Sequence, residues 1–446
     1  MTPTSGPGSD AGARRRRAVV LVGNPAAPYS RALRIGRSLA AEGYAVEIAA
    51  VAGAGLPIEE REGDLLVRRY PPSGRWAALA RSPDGPPGRR TGRTGRILRG
   101  LATIRRWLLW PHTVRGWWAT LARELEPADL YHACGSLTIA AALTARRRQP
   151  VGPAGKPALV IYDAIDDVFE SNNVLDTPAS IRAWHRRRET AWARSADGVV
   201  TINASLARRL GARWKVAPII VPNYPEPPPP AAADAPRPDL IRRELGLAPG
   251  VPIALFQGRV GPNLGLDEAA DAILLVPGAV FVVLGFGRGF DASARRDQDP
   301  HYAGRHWTLA ARHPDELLAW TASADVALIP LPPVSINQRL SSPNKFWEAL
   351  AAGTPVVVPA GLELMAGLVR DADLGVIAES AAPADLAVAI SSILDRPDLE
   401  RAAWRRRIAA TAAERFSWPV AERAYLGLVR SLGKPQDPAP PAGPAR

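Results

Sequence analysis

Short apolar runs alternate with amphipathic segments along most of the chain. The run AVVLVGN at 18–24 predicts a buried strand, SRALRIGRSLAAEGY at 30–44 predicts a helix that ends at Gly43, and AVEIAAV at 45–51 predicts the next strand. Continuous apolar strands that alternate with helices are typical of a parallel sheet covered on both faces. The pattern therefore predicts an α/β fold.

The alternation stops at one place and then resumes. Residues 221–240 are rich in proline and predict an extended linker. Strand and helix patterns occupy 17–220 before this linker and 241–415 after it. The sequence therefore predicts two Rossmann-like, doubly wound parallel-sheet domains that face each other across a cleft. Because such sheets bind ligands at the carboxyl ends of their strands, we expect the functional site in that cleft.

The two ends of the chain differ from the domains in composition. Residues 1–16 and 434–446 are rich in small residues, proline and arginine and lack apolar periodicity, so we expect disordered tails. No apolar run reaches the ~18 residues of a membrane span. The basic opening is not followed by a long apolar segment, which argues against a secretory signal and favours a cytoplasmic protein.

The cysteine and histidine content limits the chemistry that the chain can perform. Cys134 is the only cysteine among 446 residues, which excludes an internal disulfide framework and a multi-cysteine metal site. The six histidines include no HExxH pair. The chain therefore lacks these two signatures of a metal site, and the adjacent Asp166 and Asp167 have no histidine close by in sequence to complete one.

Positive charge concentrates in one segment of the first domain. The chain carries 56 Lys and Arg against 43 Asp and Glu, a net charge of +13, which indicates an anionic partner. Residues 75–123 hold eleven arginines and one acidic residue, interleaved with tryptophan, leucine and isoleucine. A basic amphipathic helix with tryptophans is typical of a membrane surface. This interpretation predicts six side chains that contact an anionic membrane: Arg105, Arg106, Trp107, Trp110, Trp117 and Trp118.

A second interpretation of this Arg/Trp-rich insertion stays open. The tryptophans would pack on the first sheet, and the arginines would form a solvated face. Nucleic-acid binding has charge as its only support, since no nucleic-acid-binding module accompanies the segment. We therefore expect no nucleic-acid partner.

The second domain contains glycine turns that follow predicted strands. Gly258 and Arg259 follow IALFQ, and an arginine at a strand's carboxyl end can bind a diphosphate through two parallel hydrogen bonds. Gly285 and Gly287 follow VFVVL, where the absence of a side chain lets the backbone approach a ligand closely. Both turns are candidates for a phosphate site.

A third segment of this domain, LSSPNKFWEALAAGTPVVVP, joins a helix to a strand. Ser342 and Asn344 flank a proline at the predicted helix start, where free N–H groups favour an anion. Lys345 adds a positive charge. Glu348 stands within an otherwise apolar helix and needs a polar partner, such as ribose hydroxyls.

Together these segments resemble the retaining family 4 glycosyltransferases with a GT-B fold. The resemblance covers most of the chain and is strongest over 253–360, and the Ser-Pro-Asn-Lys string before Glu348 is similar to a subgroup with Ser-Pro-x-Lys at that place. Residues 416–433 are similar to the family's terminal helices, which cross back to the N-terminal domain. The resemblance implies a nucleotide diphosphate sugar as donor, without cofactor or metal ion.

The resemblance also implies roles for individual residues. Glu348 would hold the ribose and Arg259 the diphosphate, while the acceptor would enter near Asn24 and Arg31. The remaining donor-site positions are Gly258, Gly285, Gly287, Ser342, Asn344 and Lys345.

Polar side chains also follow the strands of the first domain. His132, Asp163 and Asp166 are candidates for orienting an acceptor hydroxyl or accepting its proton. The alternative is structural: a histidine bonded at a strand end, and aspartates that begin a helix.

The sequence therefore predicts a glycosyltransferase whose acceptor is lipid-linked or a saccharide, acting in glycolipid or polysaccharide synthesis. We expect it in the cytoplasm, peripherally bound to the inner face of the cell membrane. One alternative is a soluble enzyme, either a small-molecule glycosyltransferase or a sugar-nucleotide epimerase. Another is an inactive GT-B-like membrane partner, which Leu264 and Leu340 favour because the family has lysine and glutamate at those places.

Overall fold

The computed structural model describes residues 16–433, apart from residues 28, 72–116, 119, 122, 172–173, 175–176 and 229–236. These residues form two domains, each built on a mostly parallel sheet with helices on its faces. The predicted α/β fold with two doubly wound domains is confirmed.

The sheet of the N-terminal domain has eight strands in the order β3-β4-β2-β1-β5-β6-β7-β8. Its strands are β1 (Arg17–Val22), β2 (Ala45–Val51), β3 (Glu59–Glu62), β4 (Leu65–Tyr70), β5 (Leu130–Cys134), β6 (Leu159–Ala164), β7 (Gly198–Thr201) and β8 (Ile219–Ile220). Neighbouring strands are parallel except for the antiparallel pair β3 and β4. The helices are α1 (Ser30–Ala41), α2 (Ile139–Arg148), α3 (Ala179–Ser195) and α4 (Ala204–Trp214).

The sheet of the C-terminal domain has six parallel strands in the order β11-β10-β9-β12-β13-β14. They are β9 (Ile253–Arg259), β10 (Val280–Phe286), β11 (His306–Ala310), β12 (Val326–Leu328), β13 (Val356–Pro359) and β14 (Gly375–Ala378). The helices are α5 (Leu240–Leu245), α6 (Leu266–Leu274), α7 (Phe290–Ala294), α8 (Pro314–Ala322), α9 (Ile336–Arg339), α10 (Asn344–Ala351), α11 (Glu363–Ala372), α12 (Pro383–Leu394), α13 (Asp398–Arg415) and α14 (Trp418–Leu432).

Both faces of the N-terminal sheet are buried, which explains its continuous apolar strands. In β1, Val19 and Leu21 belong to the core on one face, and the alternate residues Val20 and Val22 belong to the core on the other. The last helix, α14, returns to this domain and packs Trp418 and four other apolar residues on the second face. No helix among the described residues is long and apolar enough to cross a membrane.

The described end of the Arg/Trp-rich insertion lies in the core of the N-terminal domain. Trp117 and Trp118 are 2% and 8% exposed, and Trp118 Nε1 donates a hydrogen bond to the Leu137 carbonyl at 2.9 Å. The prediction that these two tryptophans contact a membrane is therefore wrong, because they pack against the sheet instead. Arg105, Arg106, Trp107 and Trp110 lie outside the described residues, as do most of both predicted tails.

Candidate active site

The carboxyl ends of the two sheets enclose a cavity of about 770 Å³. The N-terminal domain lines it with residues that follow β1, β5 and β6, among them Asn24, Ser136 and Asp166. The C-terminal domain lines it with residues at the ends of β9 and β10. This is the place that the doubly wound topology predicts for a ligand site.

The positive charges of this cavity lie on the wall formed by the C-terminal domain. Arg259 ends β9 and Arg288 follows β10, and both are exposed and line the cavity. Gly287 precedes Arg288 with a φ of 115°, and a Cβ on it would lie 2.8 Å from the Val260 carbonyl oxygen and 3.3 Å from Arg259 Cγ. The glycine thus lets the two arginines line one wall.

Gly285 has a structural role that does not depend on a donor. A Cβ on Gly285 would lie 2.4 Å from the carbonyl oxygen of Gly258 on the neighbouring strand. The residue therefore permits the ends of β9 and β10 to approach each other, and it does not line the cavity.

Lys345 lies beside Gly258, the residue that precedes Arg259 in β9. Its Nζ is 3.4 Å from the centroid of the Phe256 ring, a cation–π contact, and a Cβ on Gly258 would lie 3.8 Å from the same Nζ. Burial lowers the pKa of Lys345 to about 7, Glu348 opposes this shift, and Arg259 adds to it. Because a neighbouring phosphate would favour the charged form, an anionic ligand would bind with uptake of a proton.

Glu348 has a polar partner, as expected for a glutamate within an otherwise apolar helix. Gln257 Nε2 donates a hydrogen bond to Glu348 Oε2 at 2.7 Å. Burial raises the pKa of the Glu348 carboxyl, and the bond from Gln257 and the charge of Arg34 oppose that shift. Glu348 lines a second cavity, of about 230 Å³, between α1, the linker residues 225–228 and α8. Lys345 and Glu348 thus lie beside neighbouring residues of β9, Gly258 and Gln257.

The start of α10 lies at the boundary between the domains. Asn344 Oδ1 accepts a hydrogen bond from Asn223 Nδ2 of the linker, and Asn203 Nδ2 donates to the Leu340 carbonyl at 2.9 Å. Ser342 is buried, and its hydroxyl has no hydrogen-bond partner within the described part of the chain. Ser342 is therefore not exposed to the large cavity.

Three residues predicted as catalytic or acceptor-binding form a buried network. Arg31 Nε donates to Asp163 Oδ2 at 2.6 Å, and Arg31 Nη2 donates to Oδ1 at 2.8 Å. His132 Nε2 is 3.2 Å from Asp163 Oδ2, and the hydroxyl of Tyr425 is 3.2 Å from His132 Nδ1. All four side chains are 0% exposed. The predictions of substrate contact for His132, Asp163 and Arg31 are therefore wrong: they connect β5, β6, α1 and α14.

The electrostatics of this network fit a structural role. Burial alone would raise the pKa of the Asp163 carboxyl, but the charge and hydrogen bonds of Arg31 and His132 outweigh it and hold the pKa below its usual range. Ligand atoms of His132, Cys134 and Asp163 lie within 4.8 Å of one another. A metal ion among them would have to compete with Arg31 for both oxygens of Asp163, so we assign no metal site here.

Asp166 is the predicted catalytic residue that reaches the large cavity. The residue is partly exposed, and Asn337 of the other domain donates from Nδ2 to Asp166 Oδ1 at 3.1 Å. The backbone N–H of Asp167 donates to Asn337 Oδ1 at 2.9 Å. Burial raises the pKa of Asp166, whereas the bond from Asn337 lowers it. Asn337 thus holds a carboxylate at the cavity from across the domain boundary.

Sequence reasoning missed three residues of the site. Tyr29 and Phe286 line the cavity, and Asn337 binds Asp166. Phe286 had a signal, because an aromatic residue between two glycines after a strand has few neighbours to cover it. Asn337 lies in the short helix α9, which no sequence pattern predicts, so its contact appears only in the folded chain.

Comparisons with known proteins agree with this architecture. Residues 251–396 match the family model described as "Glycosyl transferases group 1". The D-inositol 3-phosphate glycosyltransferase of Geodermatophilus obscurus is 34% identical over 201 residues, which are 42% of this chain and 41% of that protein. The chain thus spans less than half the length of the curated relatives that it matches.

Solved structures resemble the chain over nearly its whole length. The sucrose-phosphate synthase of Thermosynechococcus elongatus has a TM-score of 0.62 at 19% identity and covers 94% of this chain and 99% of its own. HepE of Anabaena, solved with UDP-glucose, has a TM-score of 0.59 at 15% identity and covers 93% and 99%. These likenesses show that the fold is GT-B.

Proposed function

We propose that this protein is a glycosyltransferase that moves a sugar from a nucleotide diphosphate sugar to an acceptor hydroxyl. The proposal rests on the distribution of charge in the large cavity, where cations line one wall and a carboxylate lines the other. Arg259 and Arg288 line its C-terminal wall, whereas Asp166 and Asn24 line its N-terminal wall. The family match covers the wall that carries the arginines and supports an enzyme that transfers a sugar.

In this proposal the donor extends from the small cavity into the large one. Glu348, oriented by Gln257, accepts from the ribose hydroxyls in the small cavity. Arg259, which lines the large cavity, and Lys345, which lies beside Gly258, bind the diphosphate. Negative charge develops on this diphosphate as the sugar leaves, and fixed cations beside it stabilise the transition state. Asp166 faces the sugar end, where it would orient the acceptor hydroxyl.

We further propose that the transfer keeps the anomeric configuration of the donor sugar and needs no metal ion. The resemblance to the retaining family supports the first point, and the cations beside the predicted diphosphate support the second. Transfer that continues in EDTA would show that no metal ion is needed. The coupling constant of the anomeric proton in the product's NMR spectrum would give its anomeric configuration.

We expect a nucleoside diphosphate to stabilise the protein, and the shift to need Arg259. A ligand at 100 times its dissociation constant adds about 2.7 kcal/mol of stability. A thermal-shift series with UDP, GDP and dTDP should give one clear rise in melting temperature for the wild type. Arg259→Ala should lose most of that rise, because a cation that binds the diphosphate is gone.

The matched control is Arg407→Ala, since Arg407 is an exposed arginine of α13 that pairs with Asp373. This variant should respond to the nucleotide like the wild type. If no nucleotide shifts the wild type, the proposal fails and the inactive-partner alternative that Leu264 and Leu340 suggested takes its place.

We also propose that the acceptor is used at an anionic membrane surface, in glycolipid or polysaccharide synthesis. Residues 72–116 carry ten of the insertion's arginines. The described residues that flank them lie toward the cleft: Tyr70 ends β4 at the carboxyl edge of the sheet, and Trp118 donates to the carbonyl of Leu137, which lines the large cavity. The charge and this position of the flanks support the proposal.

Sedimentation with lipid vesicles tests this location. The protein should pellet with phosphatidylglycerol vesicles, stay in solution with phosphatidylcholine vesicles, and be released by salt. Replacing Arg105 and Arg106 by glutamate should weaken the pelleting, whereas the same change at Arg147 and Arg148, exposed residues of α2, should not. Equal pelleting with both lipids would contradict the proposal.

A further inference from the structure

The large cavity has an apolar strip that the chemistry of the donor does not use. Phe286, at the end of β10, is 57% exposed although it lines the cavity. Leu137, Ile165 and Val168 line the cavity from the N-terminal domain, and each is partly exposed. A phosphate or a ribose gains little from such side chains, so the strip is available to another ligand.

The charges around this strip restrict what that ligand can carry. Among the described residues that line the cavity from the N-terminal domain, the charged side chain is the carboxylate of Asp166, and none is a cation. Both cavity arginines are on the opposite wall, where the proposed donor diphosphate lies. An acceptor phosphate on the N-terminal side would therefore lose part of its hydration next to the Asp166 carboxylate. The described residues of that wall offer no cation to compensate for this loss.

We infer that the acceptor is an uncharged hydroxyl compound with an apolar substituent, which packs between Phe286 and the apolar side chains of the N-terminal wall. The inference rests on the proposed function and adds the chemical class of the acceptor. Asp166 binds the hydroxyl, and the apolar strip binds the substituent. A phosphorylated sugar fits this wall poorly, because its charge meets Asp166 and apolar groups.

Calorimetric titration of octyl glucoside, below its micelle concentration, tests the inference on protein saturated with the stabilising nucleotide. Glucose and glucose 6-phosphate serve as comparison ligands. Octyl glucoside should bind at least tenfold more tightly than either of them. Phe286→Ser should remove most of this preference and leave nucleotide binding unchanged, because Phe286 buries part of the octyl chain.

The matched control is Leu275→Ser, since Leu275 is 58% exposed at the end of α6 and does not line the cavity. It should keep the wild-type preference for octyl glucoside. If the wild type binds glucose 6-phosphate as tightly as octyl glucoside while still binding the nucleotide, the inference is overturned and the proposed function survives. Loss of nucleotide binding would instead count against the proposed function.

A transfer assay tests whether the apolar substituent belongs to a lipid or to a soluble compound. Transfer to glucosyl diacylglycerol in phosphatidylglycerol vesicles, to which the protein is proposed to bind, is compared with transfer to monomeric octyl glucoside and distinguishes a lipid acceptor from a soluble one. Faster transfer to either than to glucose 6-phosphate supports the inferred class, and faster transfer to glucose 6-phosphate overturns it.

Discussion

Replacing Arg31 by methionine is expected to lower the free energy of unfolding of the N-terminal domain by about 3–5 kcal/mol at neutral pH. Arg31 and Asp163 are both 0% exposed, and two hydrogen bonds join them. Methionine fills much of the space but leaves the Asp163 carboxylate buried without its cation. Denaturant unfolding, followed by tryptophan fluorescence, measures the loss.

The pH dependence of this loss has a defined sign. In the wild type the folded-state pKa of Asp163 is depressed, so its contribution to stability is present above the unfolded-state pKa and is lost as the pH falls through the folded-state value. Without Arg31, burial raises the folded-state pKa instead. The difference between variant and wild type should therefore be largest at neutral pH and smaller in acid.

Two further variants separate the ion pair from other effects of the substitution. Arg37→Met changes an exposed arginine of the same helix, whose bond to Glu62 lies at the surface, and should cost little. Arg31→Met combined with Asp163→Asn should recover part of the loss, because the remaining group is uncharged. An Arg31→Met protein as stable as the wild type would show that the pair does not hold β6 and α1 together.

The fold was predictable because its signals are local. The apolar run at 45–51 coincides with β2, and the run at 18–24 overlaps β1, since a buried parallel strand needs apolar residues on both faces. Proline at 221–240 predicts a linker between the domains by the same local logic. Such patterns depend on neighbours in sequence and need no knowledge of distant contacts.

The roles of charged residues were less predictable, because their partners are distant in sequence. Arg31 and Asp163 are 132 positions apart, and His132 and Tyr425 are 293 apart. A polar residue at the end of a strand gives the same sequence pattern whether its side chain binds a substrate or bonds to another element of the core. The tryptophans at 117 and 118 show the same limit: an apolar face is visible in sequence, but the surface that covers it is not.

Replacing Asp166 by asparagine is expected to lower kcat/KM for the acceptor by about 10²- to 10⁴-fold, the usual range for a group that assists proton transfer. Among the described residues of the N-terminal domain, Asp166 is the carboxylate that lines the cavity, whereas Asp163 and Asp167 are fully buried in ion pairs. The donor's dissociation constant should not change, because the cations proposed to bind it are on the other wall. A fall of less than tenfold would contradict the role of Asp166.

Asn337→Ala then tests whether the C-terminal domain controls the pKa of the Asp166 carboxyl. The hydrogen bond from Asn337 lowers the pKa of Asp166, so its removal should raise that pKa and move the acidic limb of the rate profile to higher pH. Asn203→Asp is the matched control: it removes the donor to Leu340, a second bond between the domains, and retains the oxygen that caps α4. If both variants move the acidic limb equally, closure of the domains controls activity. If only Asn337→Ala moves the acidic limb, the C-terminal domain acts on the Asp166 carboxylate itself. Activation of the acceptor would then require that the two domains approach each other.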